Sequence, residues 1–136
     1  MSDCIFCKII NKEIPGKIIY EDDICLAFLD ISQTTKGHTL VIPKKHYANF
    51  LEVDVNTLQH IMHITQKLAN QIVNNLDAKG CNILSNAGPI AGQTVMHFHV
   101  HIIPRFNQDD TIHISFTNNS ENFDIDTIYE TINKHQ

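Results

Sequence analysis

Histidine alternates with apolar residues in the run His97-Phe98-His99-Val100-His101-Ile102-Ile103. Successive side chains of an extended strand point to opposite faces of its sheet. The run therefore predicts a strand with three imidazoles on one face and with Phe98, Val100 and Ile102 on the other. Histidine does not favour strands, and an imidazole that leaves water needs hydrogen-bond partners. An ordinary half-buried strand explains this spacing poorly, so we expect the apolar face to be buried and the histidine face to carry chemistry.

The length and charge of the chain limit what that chemistry can act on. The 136 residues are 43% hydrophobic, which predicts one domain over residues 1–136 with a substantial core. Fifteen acidic residues against ten basic ones give a net charge of -5, so we expect no nucleic-acid partner. A small anionic ligand would have to be bound locally, by backbone N–H groups and imidazoles.

The hydropathy of the chain bears on where the protein works. The first residues show no basic region followed by an apolar run, and no segment has the length needed to cross a bilayer. We therefore expect a cytoplasmic protein with no membrane partner. In a reducing compartment its four cysteines are expected to be thiols or metal ligands rather than disulfides.

Hydrophobic periodicity and turn residues predict an α+β fold. A short helix is predicted at residues 5–11, and one long helix runs from its N-cap Asp54 to Leu76. Strands are predicted at residues 17–20, 25–31, 38–43, 81–85, along the histidine run to Arg105, and at 111–116. The tail after Asp124 predicts a short amphipathic helix that packs on another surface, because its apolar residues have helical spacing. Short turns between the strands favour an antiparallel sheet.

The segment Gly92-Gln93-Thr94-Val95-Met96, followed by the histidine run, closely resembles the signature of the histidine triad (HIT) family of nucleotide hydrolases and transferases. Further matches occur in family order at Lys12-Glu13-Ile14-Pro15 with Lys17-Ile18-Ile19, Ala27-Phe28-Leu29-Asp30-Ile31, Gly37-His38-Thr39-Leu40-Val41-Ile42-Pro43-Lys44-Lys45-His46, and Asn86-Ala87-Gly88. The resemblance covers most of residues 4–105 and leaves 106–136 as a C-terminal extension. It implies a five-stranded antiparallel sheet, a homodimer whose sheet continues across the interface, and a purine mononucleotide pocket beside the histidine strand.

The same resemblance implies a role for individual side chains in the reaction. A neutral imidazole is a good nucleophile toward phosphorus. His99 would attack the α-phosphorus of a nucleotide ester, anhydride or amide, and water would then release the nucleoside monophosphate. His101 would contact the phosphate, and the hydroxyl of Thr94 would lie beside the phosphate or the leaving atom. His38 would lie behind the triad and fix its tautomers, although a core histidine bonded to the backbone explains His38 almost equally well.

The loop before the histidine run and one carboxylate complete the predicted nucleotide site. Glycines at positions 88 and 92 allow backbone N–H groups to approach phosphate oxygens closely. By the resemblance, Asp30 accepts hydrogen bonds from the ribose hydroxyls. The other predicted nucleotide contacts are Asn86, Gly92, Gln93, Thr94, His99 and His101 around the phosphate, and Ile5, Phe6, Ile9, Ile14, Phe28 and Ile31 around the base. Each of these six apolar residues could equally belong to an ordinary core.

A separate signal is the pair Cys4 and Cys7, which fall on one face of the first helix and could share a ligand. A redox pair is an alternative, but no strand precedes it as in thioredoxin-like proteins. A four-coordinate zinc site needs two more ligands. The chain resembles a zinc-bearing branch of the family in which His46 and His97 supply them. This implies one structural zinc ion per subunit and no metal in the chemical step.

Two other classes of function stay open at this point. The three histidines of the run could be ligands of a catalytic metal, although positions i, i+2 and i+4 on one strand do not converge easily on one ion. A nucleotide-binding scaffold with little turnover is the other alternative. Within the hydrolases, we expect cleavage of adenosine 5′-phosphoramidates or related purine nucleotide derivatives, with dinucleoside polyphosphates as the alternative substrates. The extension after Arg105 departs from the aromatic, proline-ended tail of the best-known phosphoramidases.

Overall fold

A five-stranded antiparallel sheet forms the centre of the computed structural model, which describes residues 3–134. The strands are β1 (Ile18–Glu21), β2 (Cys25–Leu29), β3 (Thr39–Pro43), β4 (Gly80–Leu84) and β5 (Val100–Arg105), in the spatial order β1-β2-β3-β5-β4. The helices are α1 (Ile5–Ile10), α2 (Val55–Leu76) and α3 (Ile125–Asn133), and short 3-10 turns occupy Phe50–Glu52, Pro89–Ala91 and Ser120–Asn122. The predicted α+β class, the antiparallel sheet and the long helix are confirmed.

The long helix α2 begins and ends where the sequence predicts. The carboxylate of Asp54 accepts a hydrogen bond from the backbone N–H of Thr57 and so caps the helix. The helix ends at Leu76 because Asp77 adopts a left-handed conformation with φ of 56°. Thr65 lies in the apolar stripe, where its hydroxyl donates to the carbonyl oxygen of Ile61 and is therefore satisfied while buried.

The two faces of the sheet bury different sets of side chains. One face packs on α2 and includes Phe98, Val100 and Ile102, the apolar residues of the histidine run. On the other face, α1 covers an apolar cluster of Leu26, Phe28, Leu40 and Ile42 with its own Phe6 and Ile9. Leu40 pairs with His101 in the β3–β5 ladder, so His101 lies on the face that α1 covers.

Strand β5 starts later than the histidine run predicts. The ladder between β3 and β5 ends where Val41 pairs with Val100, so His97, Phe98 and His99 precede the strand. Continuing the register would place Phe98 opposite Pro43, which has no N–H group for a ladder bond. The N–H of Phe98 instead donates to the carbonyl oxygen of Tyr47. Side chains still point to alternate faces in this irregular stretch, but the histidine face is itself largely buried.

The strand predicted at residues 111–116 is wrong. Its alternating apolar residues suit a strand, but β5 is already paired on both sides, and this segment reaches no free sheet edge in its own chain. Ile114 and Phe116 are 52% and 92% exposed. The predicted tail helix is confirmed as α3, although none of its residues is buried. No helix in residues 3–134 combines the length and apolar character that a membrane span requires.

The turn between β1 and β2 is fixed by the carboxylate of Asp22. One oxygen accepts backbone N–H bonds from Ile24 and Cys25 at 2.8 Å. The other accepts the hydroxyl of Tyr20 at 2.9 Å and lies 2.6 Å from the ring nitrogen of His60 on α2. Burial by itself raises the pKa of Asp22, but the bonds from Cys25, His60 and Ile24 outweigh burial and lower the pKa well below its ordinary value.

We expect Asp22→Asn to lower the free energy of unfolding by about 1–3 kcal/mol at pH 7, because several hydrogen bonds to a charged group are lost. Since the pKa of Asp22 is lowered on folding, its stabilisation is complete above the unfolded value of about 3.9 and declines as the pH falls below it. Urea unfolding at several pH values checks this, with Asp23→Asn as control because Asp23 is the exposed neighbouring carboxylate. A difference between wild type and Asp22→Asn that is absent at pH 7, or that grows below pH 4, would contradict it.

Candidate functional site

The ring of His99 is held by its own backbone. Its Nδ1 lies 2.7 Å from the carbonyl oxygen of His97, so Nδ1–H donates there and the proton of the neutral ring is fixed on Nδ1. Nε2 is then left with a free lone pair. His99 is 7% exposed and lines a cavity, so this unprotonated nitrogen is the one available to a ligand.

The proton on His101 is fixed through a second histidine. The backbone N–H of Thr34 donates to Nδ1 of His38 at 3.3 Å, which places the proton of His38 on Nε2. That Nε2–H lies 2.9 Å from Nδ1 of His101 and donates to it. His101 therefore carries its own proton on Nε2 and can donate a hydrogen bond. His38 is buried and lies beside His101, away from the cavity lining.

Burial keeps these imidazoles neutral. Burial, followed by the neighbouring rings of His99 and His38, lowers the pKa of His101 to about 4. Burial also lowers the pKa values of His99 and His38, against the opposing effect of the Asp30 carboxylate. The carboxylate oxygen of Asp30 lies 3.8 Å from Nε2 of His38. At pH 7 the site thus offers one nitrogen lone pair and neutral donors.

The cavity beside His99 has a volume of about 300 Å³. Most of the predicted contacts line it, namely Ile5, Phe6, Ile9, Ile14, Phe28, Asp30, Ile31, Thr94, His99 and His101. Sequence reasoning missed Pro15, Gly16, Leu29, Ser32, Leu40 and Val95, which also line it. Leu40 could have been found from strand register, since it pairs with both Phe28 and His101. A mostly apolar pocket with a few convergent polar groups is typical of a small-molecule site.

The loop before the histidine run is organised by Gln93. Its side-chain oxygen accepts the N–H of Gly88 at 2.8 Å, and its amide donates to the carbonyl oxygens of Ala48 and Val95. Gly88 and Gly92 have φ values of 96° and 99°, which glycine adopts without strain. Asn86, Gly92 and Gln93 lie outside the cavity lining, so their contact with a nucleotide stays a prediction.

The four predicted metal ligands lie together. The sulfur of Cys4 is 3.5 Å from Nδ1 of His97, and the sulfur of Cys7 is 3.4 Å from Nδ1 of His46 and 3.6 Å from Nδ1 of His97. The two Nδ1 atoms are 3.1 Å apart. Tetrahedral zinc with bonds of about 2.0–2.3 Å separates its ligand atoms by about 3.3–3.8 Å. The three sulfur–nitrogen distances lie in this range and the nitrogen–nitrogen distance is slightly shorter, so the donor set and the spacing suit a closed, four-coordinate metal site.

The ring of His97 is oriented for such a site. Its Nε2 lies 2.9 Å from the carbonyl oxygen of Pro43 and donates to it, which leaves the Nδ1 lone pair facing the two sulfurs. A second hydrogen bond of this kind is the usual way in which a metal-binding histidine is oriented. Because His97, His99 and His101 each have different partners, the geometry disfavours one metal ion bound by all three.

Helix α1 belongs to both sites. Cys4 caps the helix, since its sulfur accepts the N–H of Cys7 at 3.3 Å, and both cysteines face the histidine pair. Phe6, the residue before Cys7, lines the cavity and meets the ring of His99 edge-on, with ring centroids 5.0 Å apart. A helix of six residues is too short to be stable alone. The cluster of cysteines and histidines therefore helps to position a wall of the cavity.

Comparison with known protein families matches residues 11–108 to the HIT domain. The chain belongs to the histidine triad (HIT) family. An uncharacterised HIT-like protein of Methanocaldococcus jannaschii is 46% identical, over 95% of this chain and 98% of its own length. The adenosine 5′-monophosphoramidase of Schizosaccharomyces pombe is 42% identical, over 78% of this chain and 77% of its own. The adenylylsulfatase of Arabidopsis thaliana is 41% identical, over 79% of this chain and 55% of its own.

Solved structures, HIT family members among them, share the fold. A HIT family member from Bacillus subtilis superposes with a TM-score of 0.92 at 42% identity, over 98% of this chain and 97% of its own. A protein from Leishmania major superposes with a TM-score of 0.89 at 30% identity, over 98% of this chain and 94% of its own. A zinc-bound histidine triad protein from Mycobacterium smegmatis superposes with a TM-score of 0.78 at 37% identity, over 88% of this chain and 87% of its own. Some HIT proteins are thus hydrolases of adenylyl compounds, and at least one binds zinc.

We expect Gln93→Ala to lower the free energy of unfolding by about 1–3 kcal/mol, because it leaves the N–H of Gly88 and two carbonyl oxygens without their partner. Amide hydrogen exchange at Gly88 should accelerate together with the loss of stability. Chemical denaturation and exchange measurements check both effects, with the exposed Gln108 replaced by Ala as control. Unchanged exchange at Gly88 would show that Gln93 does not hold this loop.

Proposed function

We propose that this protein hydrolyses purine nucleotide derivatives at the α-phosphate through a covalent nucleotidyl-His99 intermediate. The observation that carries the proposal is the single unprotonated Nε2 of His99, in a neutral ring that lines an apolar cavity of about 300 Å³. The hydrolase activities of related HIT proteins support it. A protein that only bound nucleotides would not need a histidine whose ring proton is held on the nitrogen that faces away from the ligand.

The first step forms a bond between Nε2 of His99 and the α-phosphorus, and the bond from phosphorus to the leaving group breaks. The ring becomes positively charged, and the bond from its Nδ1–H to the carbonyl oxygen of His97 stabilises that charge. The Nε2–H of His101 donates to a phosphoryl oxygen. A departing amine takes one proton from solvent water, relayed through the hydroxyl of Thr94 and the ring of His101, and the second step returns one proton to solvent.

The second step releases the nucleoside monophosphate. Water attacks the same phosphorus, gives its proton to the imidazole network, and breaks the bond to His99. We propose that Asp30 accepts hydrogen bonds from the ribose hydroxyls at the mouth of the cavity, while Phe6, Ile9 and Phe28 enclose the purine base. The two aromatic rings and the aliphatic side chain suit a flat, apolar base.

The leaving group is the part of the substrate that the site restricts most. Apart from Asp30, the described lining of the cavity contains neutral side chains and includes no lysine or arginine. Such a lining suits one or two phosphoryl charges better than a long polyphosphate. We therefore favour adenosine 5′-phosphoramidates over dinucleoside polyphosphates as substrates.

We also propose one structural zinc ion per subunit, bound by Cys4, Cys7, His46 and His97. The four ligand atoms lie within 4.8 Å of one another, and the related zinc-bound protein supports the choice of metal. Zinc bound by two thiolates and two imidazoles has no open position and contributes to folding rather than to the reaction.

A homodimer is proposed at the free edge of β4. The other edge strand, β1, carries Glu21, which forms ion pairs with Lys12 and Lys44 and makes that edge poorly suited to pairing. Strand β4 contains no charged residue, and its Ile83 and Leu84 are 44% and 37% exposed. A second copy that pairs there would continue the sheet across the interface.

We expect His99→Ala to lower kcat by more than about a thousandfold, because the covalent step loses its nucleophile. The affinity for AMP should stay within about tenfold, since few ground-state contacts are removed. Steady-state kinetics and calorimetric binding check this. The exposed His63 of α2, replaced by Ala, is the control and should leave both values unchanged. Turnover by His99→Ala close to wild type would rule out the assignment.

We expect an adenosine phosphoramidate to have a higher kcat/KM than diadenosine tetraphosphate, since the cavity lining offers no cationic side chain to a polyphosphate. Direct competition between the two substrates measures the ratio. If the tetraphosphate is preferred, the protein is a polyphosphate hydrolase, and His99 keeps its role.

We expect about one zinc ion per chain, and its loss in the double variant Cys4→Ser/Cys7→Ser with a lowered Tm. Elemental analysis and thermal unfolding check this. Cys81→Ser is the control because Cys81 is a free cysteine outside the cluster, and it should keep the metal. Protein purified without chelator that contains no zinc, or a disulfide between Cys4 and Cys7, would contradict the proposal.

A further inference from the structure

The C-terminal segment leaves the body of the protein without burying a side chain. All residues from 113 to 134 are exposed. The apolar side of α3 presents Ile125, Ile128, Tyr129 and Ile132, which are 77%, 41%, 68% and 67% exposed. A side of this kind normally faces a core. We call residues 113–134 the arm.

The helix of the arm is too short to be stable by itself. It has nine residues, which is below the length at which isolated helices are stable in water. The cap that Asp124 provides contributes only about 1 kcal/mol. A folded arm therefore needs a surface that its own described chain does not supply.

The arm nevertheless takes the same course in relatives. Residues 106–136 are more than a fifth of the chain. The superpositions on the Bacillus subtilis and Leishmania major structures cover 98% of this chain, so they include the arm as well as residues 1–105. A segment that its own chain does not hold, but that keeps its place in proteins from such distant organisms, is held by something outside the chain.

The charge of the segment limits what that partner is. Residues 1–105 contain nine basic and nine acidic residues, whereas residues 106–136 contain one basic residue and six acidic ones. The segment therefore accounts for the whole net charge of -5. Two such arms repel each other, and nucleic acids and anionic lipids repel them as well. A neutral body with exposed apolar surface is the partner that fits.

The body of the same chain has such a surface at the edge from which the arm departs. Arg105, the last residue of β5, pairs with Gly80 at the start of the edge strand β4. Its guanidinium donates both to the side-chain oxygen of Asn82 on β4 and, at 3.4 Å, to the carbonyl oxygen of Ile112, the residue before the arm. Between β4 and α2 lie two shallow cavities of about 280 and 330 Å³, both lined by Met62 and Ile83. These two side chains are 41% and 44% exposed. The arm thus starts next to the apolar edge at which a second copy is proposed to pair.

We propose that the arm is an exchanged segment, which crosses to a second copy of this chain and lays the apolar side of α3 on its body. In a two-fold pair each copy both gives and receives an arm, so both unpartnered surfaces are covered at once. The proposal rests on the homodimer of the preceding subsection but not on the catalytic assignment.

The direct test is a cross-link from the arm in the full-length protein. A photoreactive p-benzoyl-L-phenylalanine replaces Tyr129, and ¹⁴N-labelled and ¹⁵N-labelled protein are mixed, unfolded and refolded together. Mass spectrometry of the cross-linked peptides should show pairs that join one heavy and one light chain. Cross-links only within single chains, or no cross-link from position 129 in a protein that is dimeric, would overturn the arm proposal and leave the dimer intact. A monomeric protein would overturn both.

A second test uses matched variants of α3. Ile128→Asp/Ile132→Asp places two carboxylates on the apolar side, and Thr127→Asp/Thr131→Asp places them at the same spacing on the polar side. We expect the first variant to raise the dissociation constant of the dimer at least about tenfold over the second, because two apolar contacts are lost. Sedimentation equilibrium measures both constants. Equal constants would contradict the docking of this side.

Discussion

The position of His97 is the constraint on which the rest of the site depends. Its ring donates to Pro43 and turns Nδ1 toward the cysteines, while its backbone carbonyl accepts the Nδ1–H of His99. His97 thus belongs to the cluster of proposed metal ligands through its side chain, and its main chain sets the tautomer of His99, the proposed nucleophile. The cavity is coupled to the same cluster a second time, through α1, since Cys7 and Phe6 are neighbours on that helix. The cluster of Cys4, Cys7, His46 and His97 therefore also positions the groups that line the cavity.

The chemistry follows from a chain of fixed protons. Thr34 fixes the proton of His38, which fixes that of His101, while the backbone fixes that of His99. The two histidines that face the cavity are left with opposite capacities, because one has a free lone pair and the other has a free N–H. A nucleophile beside a hydrogen-bond donor is what displacement at phosphorus needs. Burial keeps the rings neutral. Among the described residues, their ion-pair partner is Asp30, whose carboxylate lies 3.8 Å from Nε2 of His38.

Much of this arrangement could be predicted from the sequence, because it depends on short-range periodicity. The alternation of residues 97–103 predicts the two faces, the spacing of apolar residues predicts α2, and Asp54 predicts where it starts. What could not be predicted depends on long-range geometry. The late start of β5 follows from Pro43, which lies far away in the sequence. The inward turn of Gln93 depends on the carbonyl oxygen of Ala48, 45 residues away, as well as on Gly88 and Val95 of its own loop. The false strand at 111–116 has the right alternation but no sheet edge within reach, and alternation alone cannot reveal that.

The stereochemical course at phosphorus tests the covalent mechanism most directly. An adenosine phosphoramidate made chiral at phosphorus with sulfur is hydrolysed in ¹⁸O-labelled water, and the configuration of the product is determined. Two successive in-line displacements, first by His99 and then by water, each invert the centre. Overall retention of configuration is therefore expected. Overall inversion would mean that water attacks the substrate directly, and it would remove His99 from the role of nucleophile.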